Sequence, residues 1–178
     1  CLDPSIVVKD YNKKSSKIET CLEILRDSIN ENHKILLFSQ FTSVLKNISK
    51  ELDKYKIKYH YIDGKTNAKE RLELVDEFNN SMDKKVFLIS LKAGGTGLNL
   101  TSADMVIHFD PWWNPSVENQ ASDRAHRFGQ KNSVQVIKLI AKGTIEEKII
   151  KLQESKKELI NQFINGELSN EGVLKSLS

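Results

Sequence analysis

The chain has 178 residues, 39% hydrophobic and 29% charged, with a formal net charge of +3. That length supports one full core with a small appendage, and the balance is that of a globular domain rather than a disordered or fibrous chain. No apolar run reaches membrane length, no signal peptide opens the chain, and the mild basicity permits a nucleic-acid partner without arguing for one.

Cys1 and Cys21 have neither metal spacing nor a disulfide framework, so a reducing compartment is expected. The chain opens at Cys1 rather than at a methionine, and the expectation is a piece cut from a longer polypeptide. Residues 1–15 carry no clear period and read as a tether. Ser16-Lys17-Ile18-Glu19 has the form of a capping box, and Ile18, Leu22, Leu25 and Ile29 keep a helical stripe behind it. Lys34 to Phe38 is a short, nearly continuous apolar run, as expected of a strand covered on both faces. A second helix follows, with Val44, Leu45, Ile48, Leu52 and Tyr55 at helical spacing.

Lys58 to Ile62 reads as the next strand, ending on the turn pair Asp63-Gly64. Asn67 to Glu70 repeats the cap logic before Leu72, Val75 and Phe78. Val86–Ile89, Met105–Phe109 and Val134–Leu139 supply a third, fourth and fifth strand. Strands alternating with helices predict a three-layer α/β domain on a mostly parallel sheet. Thr144 to Glu147 is a further capping box, opening a long amphipathic helix with Ile145, Ile149, Leu152, Leu159 and Phe163 along one side; Gly166 ends it. Residues 166–178 read as a weakly ordered tail, and no internal repeat or low-complexity run is present.

In an open parallel sheet, ligands gather at the carboxyl ends of the strands. Ser39-Gln40-Phe41, Asp63-Gly64-Lys65-Thr66 and Ser90 to Asn99 fall there. The last stretch holds Gly94, Gly95 and Gly97, and glycines let a backbone approach a phosphate, although a tight turn explains such a loop more often. No Lys-Ser or Lys-Thr follows the last glycine, so it is no Walker A loop, and no strand carries a Walker B acidic pair. Paired tryptophans such as Trp112-Trp113 are core or outward-facing with even weight. Their place between two prolines in a turn after the fourth strand favours at least one facing outward, where an indole stacks well on a sugar-phosphate backbone. Past Ser116 a helix is expected up to Gly129, with Gln120, Arg124 and Arg127 on one face. Two guanidinium forks on one face suit a phosphate chain, and a solvated face with Asp123 pairing Arg127 is the alternative. His33, His60, His108 and His126 show no ligand spacing.

Ile35–Phe41, Leu91–Leu100, Asp110–Pro115 and Gln120–Gln130 resemble motifs IV, V, Va and VI of the Swi/Snf-type DNA translocases, in the helicase-like ATPase superfamily. The resemblance covers about residues 16–165 with the motifs in order. It implies the second RecA-like lobe at 16–142, after a linker from a first lobe, and a brace helix at 143–165 crossing back to that lobe. ATP with magnesium would be held mainly by the first lobe, which carries the Walker residues, so this chain alone would hydrolyse nothing. By position, Arg124 and Arg127 resemble the arginines that reach the γ-phosphate; Gln120, Gly95, Gly97 and Asn99 resemble nucleotide-side positions. Ser39, Gln40, Gly64, Thr66, Lys92, Ala93, Gly94, Trp113 and Asn114 resemble positions lining the DNA side. Phe128 departs from the branched aliphatic common there.

The implied partners are double-stranded DNA and the first lobe of the same polypeptide, with no membrane and a monomeric state. Lysine- and asparagine-rich usage fits an AT-rich bacterial genome, hence a cytoplasmic, nucleoid-associated protein; a eukaryotic one would be nuclear. An RNA helicase lobe and a non-enzymatic interaction module are the alternatives. The first is opposed by Asp-Pro-Trp-Trp-Asn-Pro and by Arg-Phe-Gly-Gln, where the RNA-unwinding branch ends in arginine; the second leaves the glycine, tryptophan and arginine stretches without a common cause.

Overall fold

The computed structural model describes residues 6–11, 14–94, 98–111, 134–141 and 145–164. Among these, six strands form one sheet: β1 (Ile6–Tyr11), β2 (Ile35–Ser39), β3 (Tyr59–Ile62), β4 (Val86–Ser90), β5 (Met105–His108) and β6 (Gln135–Ala141). The helices are α1 (Lys14–Asn30), α2 (Thr42–Lys54), α3 (Ala68–Asn80), the single turn α4 (Leu91–Gly94) and α5 (Ile145–Ile164). The order across the sheet is β1-β6-β5-β2-β4-β3, and every pairing is parallel.

Strand alternation divides the interior into two cores. Ile35, Leu37, Val86, Leu88, Met105 and Ile107 face α1 and α2, where Cys21, Leu25, Leu45, Ile48 and Leu52 meet them. Leu36, Phe38, Phe87, Ile89 and Val106 face the other way, onto Val75 and Phe78 of α3 and onto Leu91, Leu98 and Leu100. Both faces of β2 and β4 are therefore dry, which is why these strands read as unbroken apolar runs. The fold class expected from the sequence, a three-layer RecA-like domain on a parallel sheet, is the one observed.

The order of strands places the site. From β2 the chain moves outward to β3; from β5 it moves the opposite way, to β6. Neighbouring β2 and β5 thus send their connections in opposite directions, and the crevice above their carboxyl ends is the topological switch point of the sheet.

The structure differs from the sequence reading in four places. Residues 6–11, expected within a tether, form β1, paired with β6 from Ile6↔Val136 to Tyr11↔Ala141. An edge strand needs few apolar residues, and with Lys9 and Asp10 in the run no period shows in the sequence. Helix α1 starts at Lys14, so Ser16 sits inside its first turn and its carbonyl accepts the Thr20 hydroxyl at 2.9 Å. Tyr55 lies just beyond α2, half-exposed beneath the Arg26 guanidinium, 4.7 Å from the ring centre. On α3 Leu72 is exposed, and on α5 Leu152 is exposed while Gln153 is buried, so neither leucine belongs to the inward face of its helix. The Asn67 cap is as expected: its side chain accepts the Glu70 amide at 2.8 Å.

α5 packs against β6, and its first turn is pinned by charge. Lys17 stands on the buried side of α1, 1% exposed, and its ammonium meets Glu146 at 2.6 Å. The same Glu146 oxygen accepts the Ala141 amide at 2.9 Å, and the ammonium lies 4.8 Å from the centre of the Phe109 ring. The two ends of this pair are not equally dry: the Glu146 side chain is 24% exposed and that of Lys17 2%. Glu146→Ala, which strands a buried ammonium, is expected to cost about 3 kcal/mol in urea unfolding, and Lys17→Met about 1 kcal/mol, since the carboxylate left behind still reaches water. The double variant should recover most of the larger loss.

Candidate functional site

Seven of the residues singled out from sequence lie at the ends of β2, β3 and β4, three neighbouring strands, and so share one rim. At the end of β2, Ser39 is fully buried and its hydroxyl donates to a carboxylate oxygen of Asp110 in a very short bond. The other Asp110 oxygen accepts the backbone N–H of Gln40 at 3.0 Å. The Phe109 amide donates to the Phe38 carbonyl at 3.0 Å, so β5 and the start of the β2 loop are stitched together across the switch point. Asp110 is 3% exposed, and burial pushes its carboxyl up to about 6, against the pull of the Gln40 amide, the Ser39 hydroxyl and the Lys17 charge.

After β3 the turn is closed by its own side chains. Asp63 accepts the Lys65 amide at 2.8 Å, and the Asp63 amide donates to the Thr66 hydroxyl at 3.2 Å. Arg71 then donates to the Thr66 carbonyl at 2.8 Å. The Thr66 hydroxyl is thus already engaged as an acceptor. Gly64 is exposed, and a Cβ there would meet nothing within 4 Å, so no crowding demands the glycine.

After β4, Ser90 is buried, and its hydroxyl has no hydrogen-bond partner among the described residues. α4 then buries Leu91 and Ala93 and turns Lys92 to solvent. The Ala93 methyl is sealed in the core, so its contribution to any contact is confined to backbone. Gly94 closes α4. Asn99 stands apart from this group: its carbonyl accepts the Asn79 amide at 2.9 Å, near the end of α3. That end of α3 is where Lys34, just before β2, donates to the Phe78 carbonyl at 2.7 Å, so Asn99 is drawn toward the amino ends of the strands. Gly95, Gly97, Trp113, Asn114, Gln120, Arg124 and Arg127 lie outside the described residues.

Sequence reasoning missed Asp110, Lys17 and Glu146 as members of this site. A carboxylate closing the apolar run Met105–Phe109 was the signal for the first, and a lysine one helical turn before buried Cys21 for the second. Among the described residues, no group of three or more His, Cys, Asp or Glu side chains is arranged to hold a metal ion.

Residues 16–129 match the family of helicase conserved C-terminal domains. The chain is 47% identical over 152 residues to an uncharacterized ATP-dependent helicase of Mycoplasma pneumoniae, covering 85% of this chain and 15% of that protein. It is 44% identical over 166 residues to a Xenopus tropicalis SWI/SNF-related regulator of chromatin containing DEAD/H box 1, covering 93% and 17%. A putative ATP-dependent helicase/translocase of Bacillus subtilis, YwqA, is 40% identical over 173 residues, covering 94% and 19%. The chain therefore spans less than a fifth of the length of these relatives. The crystal structure of the C-terminal part of the Fun30 ATPase domain superposes with a TM-score of 0.74 at 40% identity, covering 77% of this chain and 45% of that one.

The buried Asp110 sets a pH dependence. Its folded carboxyl titrates at about 6 against an ordinary 3.8, so between those values the folded chain holds more protons than the unfolded one. The group then favours the folded state below pH 4 and loses that contribution as pH rises to about 6. Relative to Asp110→Asn, the wild-type chain is expected to lose roughly 3 kcal/mol of unfolding free energy across that window and none above it. Urea unfolding of both proteins from pH 4 to pH 8 measures the difference.

Proposed function

The chain belongs to the helicase conserved C-terminal domain family, as the C-terminal lobe of a Swi/Snf-type helicase; from that premise we propose that it is the second motor lobe of an ATP-driven double-stranded DNA translocase. The observation that supports this best is the shared rim. The loops after β2, β3 and β4 stand side by side and carry Ser39, Gln40, Gly64, Thr66, Lys92, Ala93 and Gly94, with Asp110 fixing the first of them. A rim of backbone groups, small side chains and an outward lysine suits a phosphodiester chain, which is gripped without regard to sequence and in a salt-dependent way.

On the nucleotide side, the donors assigned to this lobe are two guanidiniums and an amide, Arg124, Arg127 and Gln120. Such donors fit phosphoryl oxygens and not a cation, so magnesium belongs with carboxylates of the first lobe. The chain leaves β5 at the switch point through Asp110 and Pro111, and these three residues follow in the sequence. In the transition state, charge spreads over the oxygens of the transferred phosphoryl group, and guanidiniums brought against it by lobe closure stabilise it. Closure on ATP and reopening after hydrolysis would move the two lobes' grips on DNA relative to one another.

Joined to a first lobe, the chain is expected to show ATP hydrolysis stimulated by duplex DNA and not by RNA. Arg127→Ala should lower that rate by about 10³ or more with unfolding unchanged. Full activity in the variant, or equal stimulation by RNA, would sink the assignment. Lys92→Ala should weaken duplex binding across all sequences and reduce the slope of log affinity against log salt by about 1.

A further inference from the structure

We propose that Asp110 is a positioning residue, whose carboxylate holds the loop after β2 in its gripping conformation across the switch point. The functional half of this rests on the reading of that loop as a DNA contact; the structural half does not. One carboxylate takes two bonds from two consecutive residues of the same loop, the Ser39 hydroxyl on one oxygen and the Gln40 N–H on the other. Ser39 in turn accepts the Phe41 amide at 3.1 Å through its hydroxyl oxygen. Residues 39, 40 and 41 are thereby all referred to a single atom group at the end of the neighbouring strand.

The loop needs such a hold. Phe41 occupies the N-cap of α2 and offers no side-chain cap, so the entry to that helix is not fixed locally in the usual manner. Phe41 itself is 53% exposed and supplies little packing to compensate. The long-range bonds to Asp110 take over what a capping side chain would do.

The hold depends on the proton. Ionised, the carboxylate accepts from both donors. Protonated, it must give its own hydrogen to the Ser39 oxygen, and the Ser39 hydrogen turns to the Phe41 carbonyl, 3.4 Å away. The Gln40 N–H is then left on a neutral acceptor, about half as strong. The charged and polar groups facing the carboxyl from the described elements are Ser39 and Gln40 after β2, Lys17 on α1 and Glu146 on α5. Burial raises its titration into the range just below neutrality, so the loop would be held at neutral pH and loosened in mild acid.

The test follows the Gln40 amide by ¹⁵N NMR of the intact chain from pH 5 to 7.5. In the wild type its resonance should move with a midpoint near 6; in Asp110→Asn it should not move; in Ser39→Ala, which keeps the Gln40 bond, the movement should persist. A wild-type resonance that stays still, or one that titrates equally in Asp110→Asn, overturns the proposal. Binding of a short DNA duplex at pH 7.5 is the second arm. Asp110→Asn should weaken it about fivefold while still unfolding in one cooperative transition, the difference between a charged and a neutral acceptor on one N–H. Equal affinity of the two proteins, with the Gln40 titration lost in the variant, overturns the functional half. A wild-type chain that binds no duplex at low salt would instead bring down the DNA reading, and the NMR arm would still decide whether Asp110 holds the loop.

Discussion

A sheet in which every strand runs the same way must deliver all of its carboxyl ends to one edge. That constraint generates the rest of the molecule. Parallel strands cannot be joined by tight hairpins, so each needs a crossover, and the crossovers bury both faces of the sheet. Burial on both faces forces β2 and β4 to be apolar along their length, leaving polar chemistry to the loops just beyond Ser39 and Ser90. Because β2 and β5 are neighbours whose connections diverge, a crevice opens above them, and Asp110 sits at its floor.

Placing a carboxylate at that floor is costly. Desolvation disfavours its charge, and the structure offsets this with two directed donors and a nearby ammonium rather than with a dedicated partner. What such an arrangement secures is geometry. An apolar residue at position 110 would pack the crevice but leave the Gln40 N–H and the Ser39 hydroxyl without acceptors, and nothing would then set the β2 loop against β5. The neighbouring Ser90 shows the contrast. It pairs with Ser39 in the strand register, yet its hydroxyl finds no partner among the described residues, and the turn that follows is held instead by burying Leu91 and Ala93.

How much of this was legible depended on whether the determinant was local. Ile35–Phe38, Val86–Ile89 and Met105–Phe109 announced themselves because a strand dry on both faces is largely apolar, His108 being the one polar residue of the three runs. The Asn67 cap was equally plain, since a cap bond spans three residues. β1 was not legible: at an edge, three apolar residues and a parallel neighbour suffice, and the period is lost. The Ser16 box misled because nothing before it breaks a helix, so α1 entered at Lys14. The pairs that build the site lay furthest from reach. Ser39 and Asp110 are 71 residues apart, and Lys17 and Glu146 are 129 apart. Strand order brings them together, and no spacing in the sequence encodes that order.

The two buried charge systems also touch. The Lys17 ammonium that pins the first turn of α5 lies against the ring of Phe109, and Phe109 is the residue before Asp110. From the foot of α5, through Lys17 and Phe109, to the carboxylate and the loop after β2, the contacts are continuous. Each link is stiff, because Phe109 is 3% exposed and Lys17 1%, and a closely packed interior gives way in discrete steps rather than by gradual bending. A displacement of the first turn of α5 has two outcomes. It separates Glu146 from Lys17, leaving an ammonium in a dry site, or it carries Phe109 with it and moves Asp110 relative to Ser39 and Gln40. Either outcome deprives a buried ionisable group of its partners, so the first turn of α5 and the rim loop are held by one packed group.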